Sequence, residues 1–430
     1  MSSLLSLYRT ATVLGSPLIE HHLNKRLRYG KEELNRIKER LGQPSRMRPE
    51  NPLVWVHAAS VGESTSMLPL VEALLNNHPT FHILMTSGTV TSAQLLANQL
   101  PERAIHQYLP IDRALYVNTF LNHWHPDLVL WAESEFWPNL ITLPSGRGIP
   151  MVLVNGRISP RSYKKWRLLP GLAKTILNGF SLCLAQTDSD AKRLYNLGAK
   201  RVENCGNLKF ATPPLEFDTY HFNQMQNILG SRPRWLAAST HPGEEKQVWV
   251  AHKIIATTYP ELLTIIVPRH VERGSSIAKE LTLLGAKVAQ RTKGDAISST
   301  TNIYIADTMG ELGVFFRVCP ISFIGKSLVK LGGQNPIEPA KLESAIIFGP
   351  HMYNFSGISE SLLNNGGAKE IAGAEELAGA VKNFLGNDHG RQKQIDKALD
   401  FANSKTGVLN TTLAALDPFV RKLYAGARML

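Results

Sequence analysis

Glu63 stands in the run Ala59-Ser60-Val61-Gly62-Glu63-Ser64, directly after the apolar stretch 54–58 and where a helical pattern begins. A carboxylate there can be a first-turn acid that complements the helix dipole. It can equally be a general base that takes a proton from an attacking hydroxyl. Glu133 and Glu135 flank Ser134 at the end of the stretch 128–133. Residues two apart on a continuing strand point to the same face, so the strand pattern does not choose which of these carboxylates faces a site at the strand end. Glu133, which ends the stretch directly, is the favoured one, although Ser134 and Glu135 could also open a helix. Lys209, in Gly206-Asn207-Leu208-Lys209-Phe210, is either an ordinary surface cation or an ammonium that meets charge developing in a reaction.

The second half of the chain repeats the pattern with more cationic and glycine-rich character. Ala238-Ser239-Thr240-His241-Pro242-Gly243-Glu244-Glu245, Pro268-Arg269-His270 and Asp307-Thr308-Met309-Gly310-Glu311 each leave an apolar stretch and enter a helical one. Free N–H groups at such a helix start suit a phosphate, and a nearby arginine adds forked recognition. Gly325-Lys326-Ser327 and Gly332-Gly333-Gln334-Asn335-Pro336-Ile337-Glu338-Pro339 follow. Paired glycines allow close backbone approach, and Asn335 with Glu338 could hold a nucleoside. No Walker A or GxGxxG sequence is present, which weakens readings as an NTPase or dinucleotide binder.

The segment from Asn155 to Thr187 has no Asp or Glu, yet carries Arg157, Arg161, Lys164, Lys165, Arg167 and Lys174 among Tyr163 and Trp166. It is either a solvated face or a surface for a phosphorylated, partly apolar acceptor.

These residues must be positioned by the elements around them. From Asn51 onward, apolar stretches alternate with helical patterns: 54–58, 82–87, 128–133, 151–156 and 182–187, then 234–240, 263–269, 287–291, 303–307, 321–325 and 345–350. Continuous apolar strands between helices predict parallel sheets covered on both faces. Two Rossmann-like α/β domains follow, with ligands beyond the carboxyl ends of the strands. The expected divisions are an N-terminal helical segment 1–50 that associates with membrane, a first domain 51–212, a linker 213–233 holding Pro213-Pro214 and Gly230-Ser231-Arg232-Pro233, and a second domain 234–430 with C-terminal helices.

Lys and Arg (47) exceed Asp and Glu (35) by 12. That surplus favours anionic partners without choosing among them. Three scattered cysteines argue for a reducing compartment and against a disulfide framework or structural zinc, and the cytoplasm is expected. No metal or cofactor is expected. Near the N-terminus, Leu4, Leu7, Tyr8, Ala11, Leu14 and Leu18 fall at helical spacing, and Lys25, Arg26, Arg28, Lys31, Arg36, Lys38 and Arg40 follow. This pattern predicts an interfacial helix held by anionic headgroups rather than a spanning one, the alternative being a helix packed on its own domain.

The strings WVHAASVGES (55–64), WAESEFWPNL (131–140), NGRIS (155–159), GNLKF (206–210), ASTHPGEE (238–245), PRHVERG (268–274), DTMGEL (307–312) and GGQNPIEPA (332–340) resemble, in order, the motifs of the 3-deoxy-D-manno-octulosonic acid (Kdo) transferases. The resemblance implies an inverting glycosyltransferase of the GT-B type, with two Rossmann-like domains and a cleft between them. It implies transfer of Kdo from CMP-Kdo to the lipid A precursor at the cytoplasmic face of the inner membrane, in lipopolysaccharide synthesis. On the matching positions, Glu63 would be the catalytic base, with Glu133 and Lys209 assisting the transition state. CMP would lie on Pro268, Arg269, Met309, Gly310, Glu311, Asn335, Pro336, Ile337 and Glu338. The competing readings are another GT-B glycosyltransferase or an epimerase using a UDP-sugar, and a non-catalytic polyanion-binding protein. The absence of nucleic-acid-binding signatures speaks against the last.

Overall fold

The computed structural model describes residues 3–427. The chain divides into two compact units, 1–212 with 405–430, and 213–404. The first unit holds a sheet of strands β1 (Leu53–His57), β2 (His82–Ser87), β3 (Ala104–Tyr108), β4 (Leu128–Ala132), β5 (Met151–Gly156), β6 (Leu182–Ala185) and β7 (Val202–Asn204). Their order is β3-β2-β1-β4-β5-β6-β7, and every neighbouring pair is parallel. The second unit holds β8 (Arg234–Thr240), β9 (Leu263–Pro268), β10 (Val288–Gln290), β11 (Ile303–Ile305), β12 (Ile321–Ile324), β13 (Ala345–Phe348) and β14 (Ala368–Glu370). They run in the order β10-β11-β9-β8-β12-β13-β14, again all parallel.

Burial on both faces explains the unbroken apolar strands. Along β1, Val54 and Val56 enter the core under the helix Val61–Asn77. Leu53 and Trp55 enter the opposite core with Phe120, Trp124 and Trp131. The sequence reading missed β3, β7 and β14, which lie at sheet edges. Their sequences AIHQY, VEN and AKE are mixed because an edge strand is half solvated.

Two expected divisions are corrected. Residues 213–233 are not an open linker: Asp218 caps the helix Thr219–Leu229, which buries Met225 and Leu229 within the second unit. Arg317 lies 4.0 Å over the Phe217 ring, and Gly313 leaves no room for a Cβ beside the Glu216 carbonyl. The last helix, Val408–Ala427, does not belong to the second domain. Val408, Leu416 and Val420 sit in the first unit's core with Leu68, Leu75 and Phe81, so its apolar face is matched there.

The N-terminal helices Ser3–Leu14 and Ser16–Arg28 belong to the first unit. Tyr8 donates to Asp112 at 2.7 Å, and Arg9 donates to Asn139 and Thr142. Leu4, Leu7, Leu14 and Leu18 remain exposed. Among the described residues, no helix is long and apolar enough to cross a membrane. Part of the basic stretch is structural rather than free. Arg40 is buried, pairs with Glu32 and donates to the carbonyls of Leu109 and Gly88. Arg36 pairs with Glu39. Lys25, Arg28, Lys31 and Lys38 are exposed.

Candidate active site

In the first sheet the chain leaves β1 toward β2 and β3, then returns to the other side of β1 as β4. The crevice beyond the carboxyl ends of β1 and β4 is the topological switch point, the usual ligand position in an open parallel sheet. Glu63 follows β1 and Glu133 follows β4, so both carboxylates arrive there.

Glu63 lies in the first turn of the helix Val61–Asn77 and is fastened by a capping arrangement. Ser60 is the N-cap, with its hydroxyl accepting from Glu63 N. The carboxylate reaches back to accept from Ala59 N at 2.8 Å and from the Ser60 hydroxyl at 3.1 Å. The cap and the base are therefore compatible roles for one side chain. Burial, then the charge of Glu133, with Glu135 adding, pushes the Glu63 carboxyl up to about 7, against the hydrogen bonds from Ala59 and Ser60. A base poised there accepts a proton near neutrality.

Glu133 adopts a left-handed backbone with φ 54°, which turns the chain sharply as the strand ends. Its Oε1 accepts from Lys209 Nζ at 2.7 Å. Glu135 instead accepts from Trp137 Nε1 at 2.7 Å. The two carboxylates thus differ in partner, and Glu133 is the one tied to Lys209. Lys209 is carried by the short turn Leu208–Phe210, whose leading residue Asn207 caps it by accepting from Lys209 N. The three residues expected to be catalytic are thereby linked, Glu133 to Lys209 by contact and Glu63 to Glu133 by charge. The basic segment leaves β5 beside them, and the helix Pro160–Trp166 buries none of its side chains. Arg161, Lys164, Lys165 and Arg167 are exposed there.

In the second sheet the switch point lies between β8 and β12. Ser239 (φ 56°) makes a bulge that sets Thr240 against Pro268, and Arg269 N donates to Thr240 O at 3.1 Å. Arg269 is thus pinned beside the crevice. Gly325 ends β12 where a Cβ would meet Ser239 O at 2.5 Å, so the two strand ends close together only without a side chain. Glu244 is wholly buried and accepts from four backbone N–H groups, those of His241, Lys326, Ser327 and Leu328. It locks the loop after β12 to the turn after β8.

Cationic groups converge at this crevice. Burial, with Lys326, His270, Arg269 and Arg273 adding, lowers the His241 imidazole to about 4. Burial and Arg269 lower Lys326. Burial raises Glu338, opposed by the Asn335 hydrogen bond and by Arg269. Arg269 therefore acts on groups from β8, β12 and the 335–338 turn at once. Asn335 Nδ2 lies 3.2 Å from Glu338 Oε1, and Asn335 Oδ1 accepts from Ile337 N, which fixes the turn containing Pro336. Met309 is exposed and Gly310 takes φ 82°. Glu311 turns away into an ion pair with Arg291 and a hydrogen bond from Thr308. Burial works to raise its carboxyl, but those partners leave it below the ordinary value.

The sequence reading gave no role to Asn155, Gln186, Asn207, His241 or Lys326. Each is within two residues of a strand end or of Lys209. A polar side chain closing an apolar stretch was the signal available for most of them.

The family model described as 3-Deoxy-D-manno-octulosonic-acid transferase (kdotransferase) matches residues 35–212. The chain is 34% identical over 396 residues to 3-deoxy-D-manno-octulosonic acid transferase of Rickettsia bellii, covering 92% of this chain and 94% of that protein. It is 31% identical to the transferase of the same name from Haemophilus influenzae, over 86% of this chain and 87% of that one. A probable mitochondrial transferase of Arabidopsis thaliana is 35% identical over 89% of this chain and 88% of its own length. Among solved structures, a putative UDP-N-acetylglucosamine 2-epimerase from Listeria monocytogenes aligns with a TM-score of 0.61 at 13% identity, covering 86% of this chain and 97% of that one. The UDP-GlcNAc 2-epimerase from Neisseria meningitidis aligns at 0.59 and 12%, over 84% and 100%. At such identity these two likenesses concern the fold alone, which is of the GT-B type.

Proposed function

Since the chain belongs to the 3-deoxy-D-manno-octulosonic acid transferase family and is a glycosyltransferase, we propose that it moves Kdo from CMP-Kdo to a hydroxyl of the lipid A precursor with inversion at the anomeric carbon. The observation that carries this reading is the Glu63 carboxyl, clamped by its cap and held near neutrality beside the Glu133–Lys209 pair.

Glu63 takes the proton from a primary hydroxyl of the acceptor sugar. That oxygen attacks the anomeric carbon of Kdo from the side opposite the phosphate, the bond to CMP breaks, and CMP departs with the electron pair. Lys209 and Glu133 set the field around the developing charge. Arg269, with Lys326 nearby, offsets the charge on the phosphate, and the 309–311 and 335–338 turns hold the cytidine part. The exposed cations Arg161, Lys164, Lys165, Arg167 and Lys174 support a phosphorylated acceptor.

The same reading places the enzyme at the cytoplasmic face of the inner membrane. Support comes from the exposed stripe Leu4, Leu7, Leu14 and Leu18, with Lys25, Arg28, Lys31 and Lys38 after it. Amphipathic surfaces of this kind, here carried by the helices Ser3–Leu14 and Ser16–Arg28 and the residues after them, lie in the interface with the apolar side down and the cations on anionic headgroups. The test is release of CMP from CMP-Kdo by the purified chain, with and without tetra-acylated lipid A precursor, and mass spectrometry of the product. Acceptor-dependent release with a Kdo mass added supports the reading, and no release sinks it.

A further inference from the structure

Lys209 sits on a short turn rather than on a strand or long helix, so its position depends on whatever holds that turn. Asn155, at the end of β5, is that support. It is 2% exposed and has φ 55°, in the left-handed region that asparagine enters more readily than most residues bearing a side chain. Its Oδ1 accepts from Leu208 N at 3.0 Å, and its Nδ2 lies 3.5 Å from Glu133 Oε1. One amide therefore touches the turn that bears Lys209 and the carboxylate that Lys209 meets. A second strand end completes the arrangement. Gln186, just beyond β6, donates to Asn155 O at 3.0 Å and accepts from Asn207 Nδ2 at 3.1 Å. Asn207 in turn accepts from Lys209 N at 3.0 Å. Glu133 N donates to Val154 O, which fixes the other side of the pair.

We propose that Asn155, braced by Gln186, is a positioning residue that sets Lys209 against Glu133 for the transfer. It touches no reacting atom and acts through the ion pair alone. The proposal rests on the catalytic reading of Glu63, Glu133 and Lys209 given above. Its physical content is that a catalytic side chain on a three-residue turn is only as well placed as the hydrogen bonds under that turn.

The test is a kinetic cycle on the full chain. Asn155→Gly keeps the left-handed backbone accessible and removes both side-chain contacts. It is expected to lower kcat on the order of 10²-fold, the cost of displacing a catalytic group by about an ångström, with KM for CMP-Kdo and for lipid A precursor unchanged. Adding Lys209→Met to it should cost nothing more than Lys209→Met alone, because both changes remove one function. Should Asn155→Gly melt out, Asn155→Asp is measured in its place. It still accepts from Leu208 N and tolerates the same φ, but gives Glu133 no donor. Its losses should be non-additive with Lys209→Met in the same way. Wild-type kcat in the folded Asn155 variant, or losses that multiply in the double variant, would overturn the proposal. Full turnover in Lys209→Met alone would instead overturn the parent reading of the site.

Discussion

Lys209 Nζ lies 2.7 Å from Glu133 Oε1, with both side chains mostly buried. The residues are 76 positions apart in the chain. The fold brings them together because β4 ends beside β5 and the chain after β7 turns back over the same strand ends. The pair keeps one negative and one positive charge beside Glu63, so the site is polarised without being saturated with carboxylate.

Breaking that pair leaves a buried, uncompensated Glu133. Lys209→Met is expected to lower stability by roughly 3 kcal/mol, as the loss of one member of a buried pair does, and turnover by about 10²-fold or more. Adding Glu133→Gln should recover part of the stability and none of the turnover. Denaturant melts of the two single variants and the double variant check this.

The Glu63 carboxyl gives a pH signature. Its value rises from the ordinary 4.5 to about 7 under burial and the charges of Glu133 and Glu135. Turnover should therefore fall as pH drops below about 7, where the base becomes protonated. The sign for stability is the opposite. Between 4.5 and about 7 the folded chain holds a proton that the unfolded chain has released, so stability declines as pH rises through that window. Glu63→Gln should make the slope shallower without abolishing it, because burial also raises Asp112, Glu244 and Glu338, and melts of both chains across the window would show the difference.

Close packing at the second switch point makes a sharper structural prediction. In Gly325→Ala the new Cβ meets Ser239 O at 2.5 Å, a backbone atom that cannot rotate away. The ends of β8 and β12 must separate, at a cost of roughly 1–3 kcal/mol. CMP affinity should fall with it, because Arg269 is pinned to the same bulge. Denaturant midpoints and CMP titration read the two effects.

The membrane reading has its own test. The wild-type chain should sediment with vesicles containing anionic lipid, and a variant with Leu7, Leu14 and Leu18 all changed to Ser should remain in the supernatant with an unchanged melt. Equal sedimentation of the two chains would remove the stripe from that role.

The central strands, and the placement of Glu63 and Glu133 just beyond two of them, were legible in the sequence for physical reasons. Strands buried on both faces must be apolar throughout, and the residues just beyond their carboxyl ends border the crevice where open parallel sheets bind ligands. What was illegible depended on partners far away in the chain. VEN and AKE carry no strand signal because edge strands need no apolar face. The helix Val408–Ala427 follows the second domain in sequence, yet its apolar side fits the first unit's core. Arg36 and Arg40 read as free cations until Glu39 and Glu32 are seen beside them. Asn155 enters the sequence reading within a motif but without a role, because its hydrogen bonds run to Leu208 and Glu133, 53 and 22 positions away.

Glu63→Gln tests the account most directly. CMP release from CMP-Kdo in the presence of lipid A precursor should fall on the order of 10³-fold, the scale of a lost general base, while the variant binds CMP as the wild type does. Near-wild-type release by the variant would remove Glu63 from the base role and contradict the mechanism.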